Sequence, residues 1–142
     1  MADSFEDIAE NFEFIDEWED RYRYVIELGK ALAPMEPSLQ IPATKVDGCA
    51  SQVWIAPEIT GEGSDSRITF SGASDAMIVQ GLIAILHALY NNKKPDEILA
   101  IDTTAVLGGL GLDQHLSSQR SNGLKAMVTR IREIATRVLE QA

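Results

Sequence analysis

The 142-residue chain has 12 basic and 22 acidic residues, a formal net charge of −10, and 45% hydrophobic residues. This composition predicts a single globular domain over residues 1–142, and the acidic balance argues against a nucleic-acid partner, because polyphosphate binding needs clustered lysine and arginine. No apolar run approaches the ~18 residues of a membrane span and the N-terminus is acidic where a secretion signal would be basic, so we expect a cytoplasmic protein with no membrane partner.

The N-terminal part of the chain has the spacing of two amphipathic helices. Apolar residues three or four positions apart indicate the first helix: Phe5, Ile8, Phe12 and Ile15. Asp3 or Ser4 is available to cap it. The second helix shows the same spacing: Trp18, Tyr22, Val25, Gly29 and Leu32. Pro34 and Pro37 end the second helix, and residues 33–44 are predicted to form an irregular crossing loop.

The middle of the chain changes to the period of a β-strand. Residues 52–55, Gln-Val-Trp-Ile, alternate between two faces, and residues 67–71 alternate again after a turn cluster at 60–64. This arrangement predicts an antiparallel hairpin. Residues 45–46 are candidates for a third short strand.

Helical patterns occupy the C-terminal half. Ser74 is predicted to cap a central helix that runs to residues 91–92. Its buried stripe is Ile78, Leu82, Ile85 and Leu89. Pro95 and Asp102 indicate the starts of two short helices within residues 95–109. One face of a long final helix is apolar: Leu124, Met127, Ile131, Ile134 and Val138. We therefore predict an α+β domain in which helices cover one face of a small antiparallel sheet.

Cys49 is the single cysteine of the chain. One thiol cannot form an internal disulfide or hold a zinc or iron–sulfur site that needs several thiolates. A free cysteine is usually a small buried residue. Cys49, however, follows Gly48 and lies two residues before Ser51, and these small neighbours leave space around the sulfur. We expect a thiol that is presented to a second protein.

A presented thiol is also compatible with a hydrolytic nucleophile, which requires a histidine base. His87 lies in the apolar run GLIAILHALY and is interpreted as a packed core residue. His115 is a better candidate, but it is equally compatible with a structural role at a helix end. Arg120 lies near a helix start, where a positive charge is unfavourable next to the helix dipole. That position suggests that it holds a thiolate or a partner's carboxylate.

Four blocks of the sequence resemble the SufE family of sulfur-acceptor proteins, which pair with a cysteine desulfurase in iron–sulfur cluster assembly. In chain order they are WEDRYRYVIELGKAL (18–32), VDGCASQVWI (46–55), SGASDAMIVQGLIAIL (71–86) and HLSSQRSNGLKAM (115–127). The resemblance implies that Cys49 receives sulfur as a persulfide and that Arg120 matches the family's arginine. It also implies that Gly48, Ser51 and the pair Ser74-Asp75 lie where the partner binds.

The resemblance further implies a SufE/IscU-like fold, shared with the scaffold proteins on which clusters are built. Those scaffolds use three cysteines, so the single cysteine favours a sulfur carrier. The expected partners are a SufS-type desulfurase and a downstream scaffold complex, with pyridoxal phosphate in the desulfurase and no cofactor here. Apolar residues near the loop, such as Trp54, are candidates to shield the persulfide. The alternative is a non-catalytic regulatory module in which Cys49 is incidental.

Overall fold

A computed structural model of the chain describes residues 4–49 and 51–141. In those ranges the order along the chain is two helices, a β-hairpin and a run of further helices. The elements are α1 (Phe5–Phe14), α2 (Trp18–Ala31), β1 (Val53–Thr60), β2 (Arg67–Ser74), α3 (Met77–Tyr90), α4 (Pro95–Ala100), α5 (Thr103–Gly109), α6 (Leu112–His115) and α7 (Ser118–Gln141). The loop predicted at 33–44 contains a short 3₁₀ turn, Pro37–Leu39.

The predicted hairpin is confirmed. Strands β1 and β2 pair antiparallel in a register that runs from Val53 opposite Ser74 to Thr60 opposite Arg67. The third strand predicted at residues 45–46 is present as an isolated antiparallel bridge between Lys45 and Trp54.

Both N-terminal helices are confirmed. Ser4 caps α1, because its Oγ accepts the backbone N–H of Asp7 while the Asp7 carboxylate accepts the N–H of Ser4. Asp3, the other predicted cap, lies outside the described residues. Phe12 is buried and packs edge-on against the rings of Trp18 and Tyr24, which joins α1 to α2.

Helix α3 is the centre of the core, and most of its residues are buried. It packs against both α2 and β2. At the crossing with α2, a Cβ at Gly81 would lie 2.1 Å from the carbonyl oxygen of Val25, so only glycine allows the two backbones to approach this closely. A Cβ at Gly72 of β2 would likewise lie 2.5 Å from Cγ2 of Ile83.

The prediction that Ser74 caps the central helix is wrong. Ser74 is the last residue of β2, and α3 begins at Met77 after the cap residue Ala76, which has no side-chain cap hydrogen bond. The Oγ of Ser74 instead accepts the N–H of Ala76 at 3.2 Å. The pairing of Ser74 with Val53 holds it in the strand, so the chain turns into the helix only after it.

The C-terminal helices largely follow the predicted pattern. Pro95 opens α4, and the Asp102 carboxylate caps α5 by accepting the N–H of Ala105 at 3.2 Å. The predicted apolar face of α7 is buried throughout: Leu124, Met127, Ile131, Ile134 and Val138. Helix α6 was not predicted from the sequence. The α+β class and the helix-covered antiparallel sheet are confirmed, and no described helix is long and apolar enough to cross a membrane.

We predict that Gly81→Ala lowers the free energy of unfolding by about 3 kcal/mol or more, because its Cβ overlaps the Val25 backbone and the helices must separate. Chemical denaturation measures this change. Gly109→Ala is the matched control, since a Cβ there meets no atom within 4 Å. We expect the control to be neutral or to stabilise by up to about 1 kcal/mol. Equal stabilities for the two variants would contradict the close crossing.

Candidate functional site

Cys49 lies in a loop, described at residues 46–49 and 51–52, which we call the thiol loop. Its side chain is partly buried, and Sγ donates a hydrogen bond to the carbonyl oxygen of Gly123 in α7 at 3.6 Å. The thiol is thus neither fully exposed nor fully buried, and its presentation to a second protein stays a prediction. Gly48 has a φ of +91°, which glycine adopts readily, and a Cβ there would lie 3.4 Å from Cβ of Ala126, so the loop lies close to α7.

The thiol faces a cavity of about 440 Å³ between the first turns of α3 and α7. Ala76 and Val79 line it from the α3 side, and Leu124 and Met127 line it from α7. This apolar wall provides a water-poor surface next to the sulfur. Trp54, the sequence-based candidate for a shield, does not line the cavity and pairs with Ala73 in the hairpin.

The cavity also has a polar part of its lining, formed by Ser51, Ser117, Gln119 and Arg120. Ser117 precedes α7, and its Oγ accepts the backbone N–H of Arg120 at 3.3 Å, which fixes the start of the helix. The Arg120 side chain is exposed and has no hydrogen bond or ion pair to the described residues. Its guanidinium therefore remains available to an anionic group at the cavity.

Asp75 holds the C-terminal end of the thiol loop in place. Its Oδ1 accepts the backbone N–H of Gln52 at 3.0 Å, and its own N–H donates to Gln52 O at 3.4 Å. Ser74 is held beside it, because its N–H donates to Oε1 of Gln80 at 2.8 Å. The structure thus brings Ser74 and Asp75 close to the loop that carries Cys49.

Burial raises the pKa of the Cys49 thiol, and the negative charge of Asp47 raises it further. Arg120 is not among the groups that shift this pKa, although it lines the same cavity. The thiol is consequently protonated at neutral pH in this conformation, and a protonated thiol is a poor nucleophile.

Neither histidine is arranged as a base for Cys49. His87 packs edge-on against Phe70, and burial lowers the pKa of its imidazole. His115 stacks on Trp18 with ring centroids 3.8 Å apart, and its Nδ1 lies 3.0 Å from Gly111 O. Both lie outside the cavity lining, so the hydrolase hypothesis lacks its general base.

Sequence reasoning named Arg120 of α7 as a site residue but missed three further α7 residues. Gly123, Leu124 and Met127 were either unassigned or assigned only to the core, but they contact the thiol or line its cavity. Their place on the apolar face of the final helix was the available signal, and the sequence does not show what packs there. Among the described residues, no group of three or more His, Cys, Asp or Glu side chains is arranged to hold a metal ion.

The sequence and the fold are both similar to those of known proteins. Residues 6–135 match the SufE family model, described as an Fe-S metabolism associated domain. An uncharacterized SufE-like protein of Rhizobium meliloti is 51% identical over 132 residues, which cover 93% of this chain and 94% of that protein. A second, from Rhizobium etli, is 51% identical over 132 residues, covering 93% and 89%. The solution structure of a hypothetical protein from Thermus thermophilus has the same fold, with a TM-score of 0.71, 20% identity and 96% of both chains covered.

We predict that Asp47→Asn lowers the pKa of Cys49, because it removes the nearby negative charge. The thiolate fraction at neutral pH then rises, and iodoacetamide alkylates Cys49 faster, whereas the two rates converge at a pH above both pKa values. The measurement is the alkylation rate across a pH series. Asp20→Asn, an exposed carboxylate in α2, is the control and is expected to keep the wild-type profile. An unchanged profile for Asp47→Asn would contradict this electrostatic effect.

Proposed function

We propose, from the premise that this chain belongs to the SufE family, that it accepts persulfide sulfur from a cysteine desulfurase on Cys49, stimulates that enzyme and passes the sulfur on for iron–sulfur cluster assembly. One observation carries the proposal: the only cysteine of the chain faces a partly apolar cavity at the junction of α3 and α7. In this role the protein is a covalent sulfur-transfer partner and not a stand-alone enzyme.

The proposed reaction is a thiol exchange that needs no external oxidant or reductant. The Cys49 thiolate attacks the outer sulfur of the desulfurase's cysteine persulfide, and a new S–S bond forms on Cys49. The bond between the two sulfur atoms of the donor breaks, and its electron pair leaves with the desulfurase cysteine as a thiolate. The proton of the Cys49 thiol passes to solvent or to a base of the partner.

The cavity supports the storage step that follows. A persulfide is lost readily to small reductants, so a carrier is more effective if the outer sulfur is shielded between encounters. The apolar side chains of Val79, Leu124 and Met127 surround a volume far larger than one sulfur atom requires. The loaded sulfur can therefore remain inside without disturbing the packing of α3 against α7.

Acceptance and storage place opposite demands on Cys49. Burial and Asp47 keep the resting thiol protonated, and attack requires the thiolate. The partner's active site, with Arg120, is proposed to supply the favourable charge when the thiol loop docks. Gly48 and Ser51 of the loop, and Ser74 and Asp75 at its anchored end, are the proposed contact residues.

The proposed partners are a SufS-type desulfurase, which contributes its own pyridoxal phosphate, and a downstream scaffold complex in the cytoplasm. No cofactor, nucleic acid or membrane is part of the proposal. A single cysteine is too few to assemble a cluster on this chain, which favours carriage of one sulfur at a time.

We predict that incubation with a desulfurase and free cysteine adds the mass of one sulfur atom to the wild-type protein and none to Cys49→Ser. Intact-mass analysis gives the result, and circular dichroism is the control, because this substitution removes little buried area and should preserve the fold. Full stimulation of the desulfurase by Cys49→Ser would instead favour the regulatory module. A sulfur adduct retained by the variant would overturn the assignment of Cys49.

We predict that Arg120→Ala slows sulfur acceptance from the desulfurase more than about tenfold, since a charge-assisted contact to the transferring anion is lost. Arg120→Lys should restore part of the rate, because it keeps the charge without the planar fork. Single-turnover transfer measures both. A thermal melt is the control, and the exposed side chain should leave the melting temperature unchanged. A destabilised Arg120→Ala variant with wild-type transfer would assign the residue a structural role.

A further inference from the structure

The segment that leads into the thiol loop forms a short edge of the sheet. The N–H of Val46 donates to Val53 O at 2.8 Å, and Thr44 O accepts the N–H of Ile55 at 2.9 Å. The carbonyl of Lys45, the bridge residue, and that of Ala43, in the turn before it, do not bond to β1. In an edge strand, such outward carbonyls need another partner or solvent.

Arg130 of α7 provides that partner. Its Nη2 donates to Lys45 O at 2.9 Å, and its Nη1 donates to Ala43 O at 3.4 Å. The two donors of one planar guanidinium thus bind two carbonyls of the same edge. The contact fixes the sheet edge, immediately before the thiol loop, against the final helix.

The thiol loop then runs antiparallel along one face of α7. Arg130 contacts Lys45, Ala126 lies opposite Gly48, and Gly123 O accepts the hydrogen bond from Cys49. Positions 123, 126 and 130 share a helix face, and they span two turns, or about 10 Å. The arginine and the thiol are therefore the two ends of one continuous contact between loop and helix.

We propose that Arg130 is a positioning residue of the thiol site: its two hydrogen bonds to the edge carbonyls set the register of the thiol loop on α7 and so hold Cys49 inside its cavity. Only three residues separate Lys45 from Cys49, and they include the Gly48 turn, so a shift at the edge moves the thiol. The hydrogen bond of Cys49 to Gly123 is long, at 3.6 Å, and a weak thiol donor does not fix the loop by itself. The stronger anchor is the charge-assisted contact of Arg130.

The chain contains a matched control. Arg132, two residues further along α7, also donates to two backbone carbonyls, Leu99 O and Ile101 O, each at 3.3 Å. These carbonyls belong to α4 and the residue after it, away from the thiol loop. Arg130→Gln and Arg132→Gln therefore remove the same kind of interaction from the same helix, and only the first touches the segment that carries Cys49.

The test measures iodoacetamide alkylation of Cys49 in the full-length chain across a pH series. For Arg130→Gln we expect alkylation about three- to tenfold faster at neutral pH, because a partly exposed, charge-assisted anchor is lost and the thiol spends more time outside the cavity. The midpoint of its pH profile should move down, since burial contributes to the raised pKa of Cys49. Arg130→Lys should lie between wild type and Arg130→Gln. Arg132→Gln should keep the wild-type rate and midpoint.

A wild-type rate and profile for Arg130→Gln would overturn the proposal, and so would an equal acceleration in Arg132→Gln. If Arg130→Gln does not fold, the Arg130→Lys variant tests the proposal instead. Faster alkylation of Cys49 with a wild-type melting temperature would support a positioning role for Arg130, and a wild-type alkylation rate would overturn it.

One further arm rests on the proposed function. After loading by a desulfurase, the persulfide of Arg130→Gln should be lost to a small thiol several-fold faster than that of wild type, as the thiol attacks the outer sulfur and leaves Cys49 reduced. If wild type takes up no sulfur, the proposed function fails, while the alkylation comparison still decides the role of Arg130. Equal persulfide lifetimes in the loaded proteins would count against positioning.

Discussion

The contact on which the rest of the structure depends is the crossing of α2 and α3 at Gly81. The missing side chain lets the Val25 carbonyl approach the α3 backbone, so α3 sits in the middle of the core and not at its surface. Only two residues lie between the end of β2 and the start of α3, and the first turn of α3 lines the same cavity as the start of α7. The cavity beside Cys49 is the space that remains where those helix ends converge.

The environment of Cys49 affects two properties in opposite directions: the protection of a bound sulfur and the nucleophilicity of the thiol. In the proposed function an apolar wall would protect a labile sulfur, but the same burial, with Asp47 nearby, raises the pKa of the thiol and lowers its nucleophilicity at rest. In that proposed function, an unloaded thiol of low nucleophilicity avoids side reactions before it meets the desulfurase. Reactivity must then be restored by movement of the thiol loop or by the partner's charges, and the loop is anchored at its two ends by Arg130 and Asp75.

The sequence by itself predicted most of the helices and the hairpin, and it limited the candidate thiols to one residue, Cys49. Local patterns are sufficient for this: the 3.6-residue period of α3 and α7, the two-residue period of the hairpin, and the caps at Ser4 and Asp102 all act over a few positions. The single Cys49 excluded every site that needs several thiolates. Helix α6 was beyond such reasoning, because four residues are too few to display a period.

Only the tertiary structure decided how exposed the thiol is and what surrounds it. Small neighbours predicted a presented cysteine, and the side chain of Cys49 is partly buried, because exposure depends on residues far away in the chain. Gly123 receives its hydrogen bond and Met127 lines its cavity, both more than seventy positions later. The placement of Ser74 in the strand, and not at the helix cap, has the same origin. Local spacing cannot encode a contact whose two sides meet only after the chain has folded.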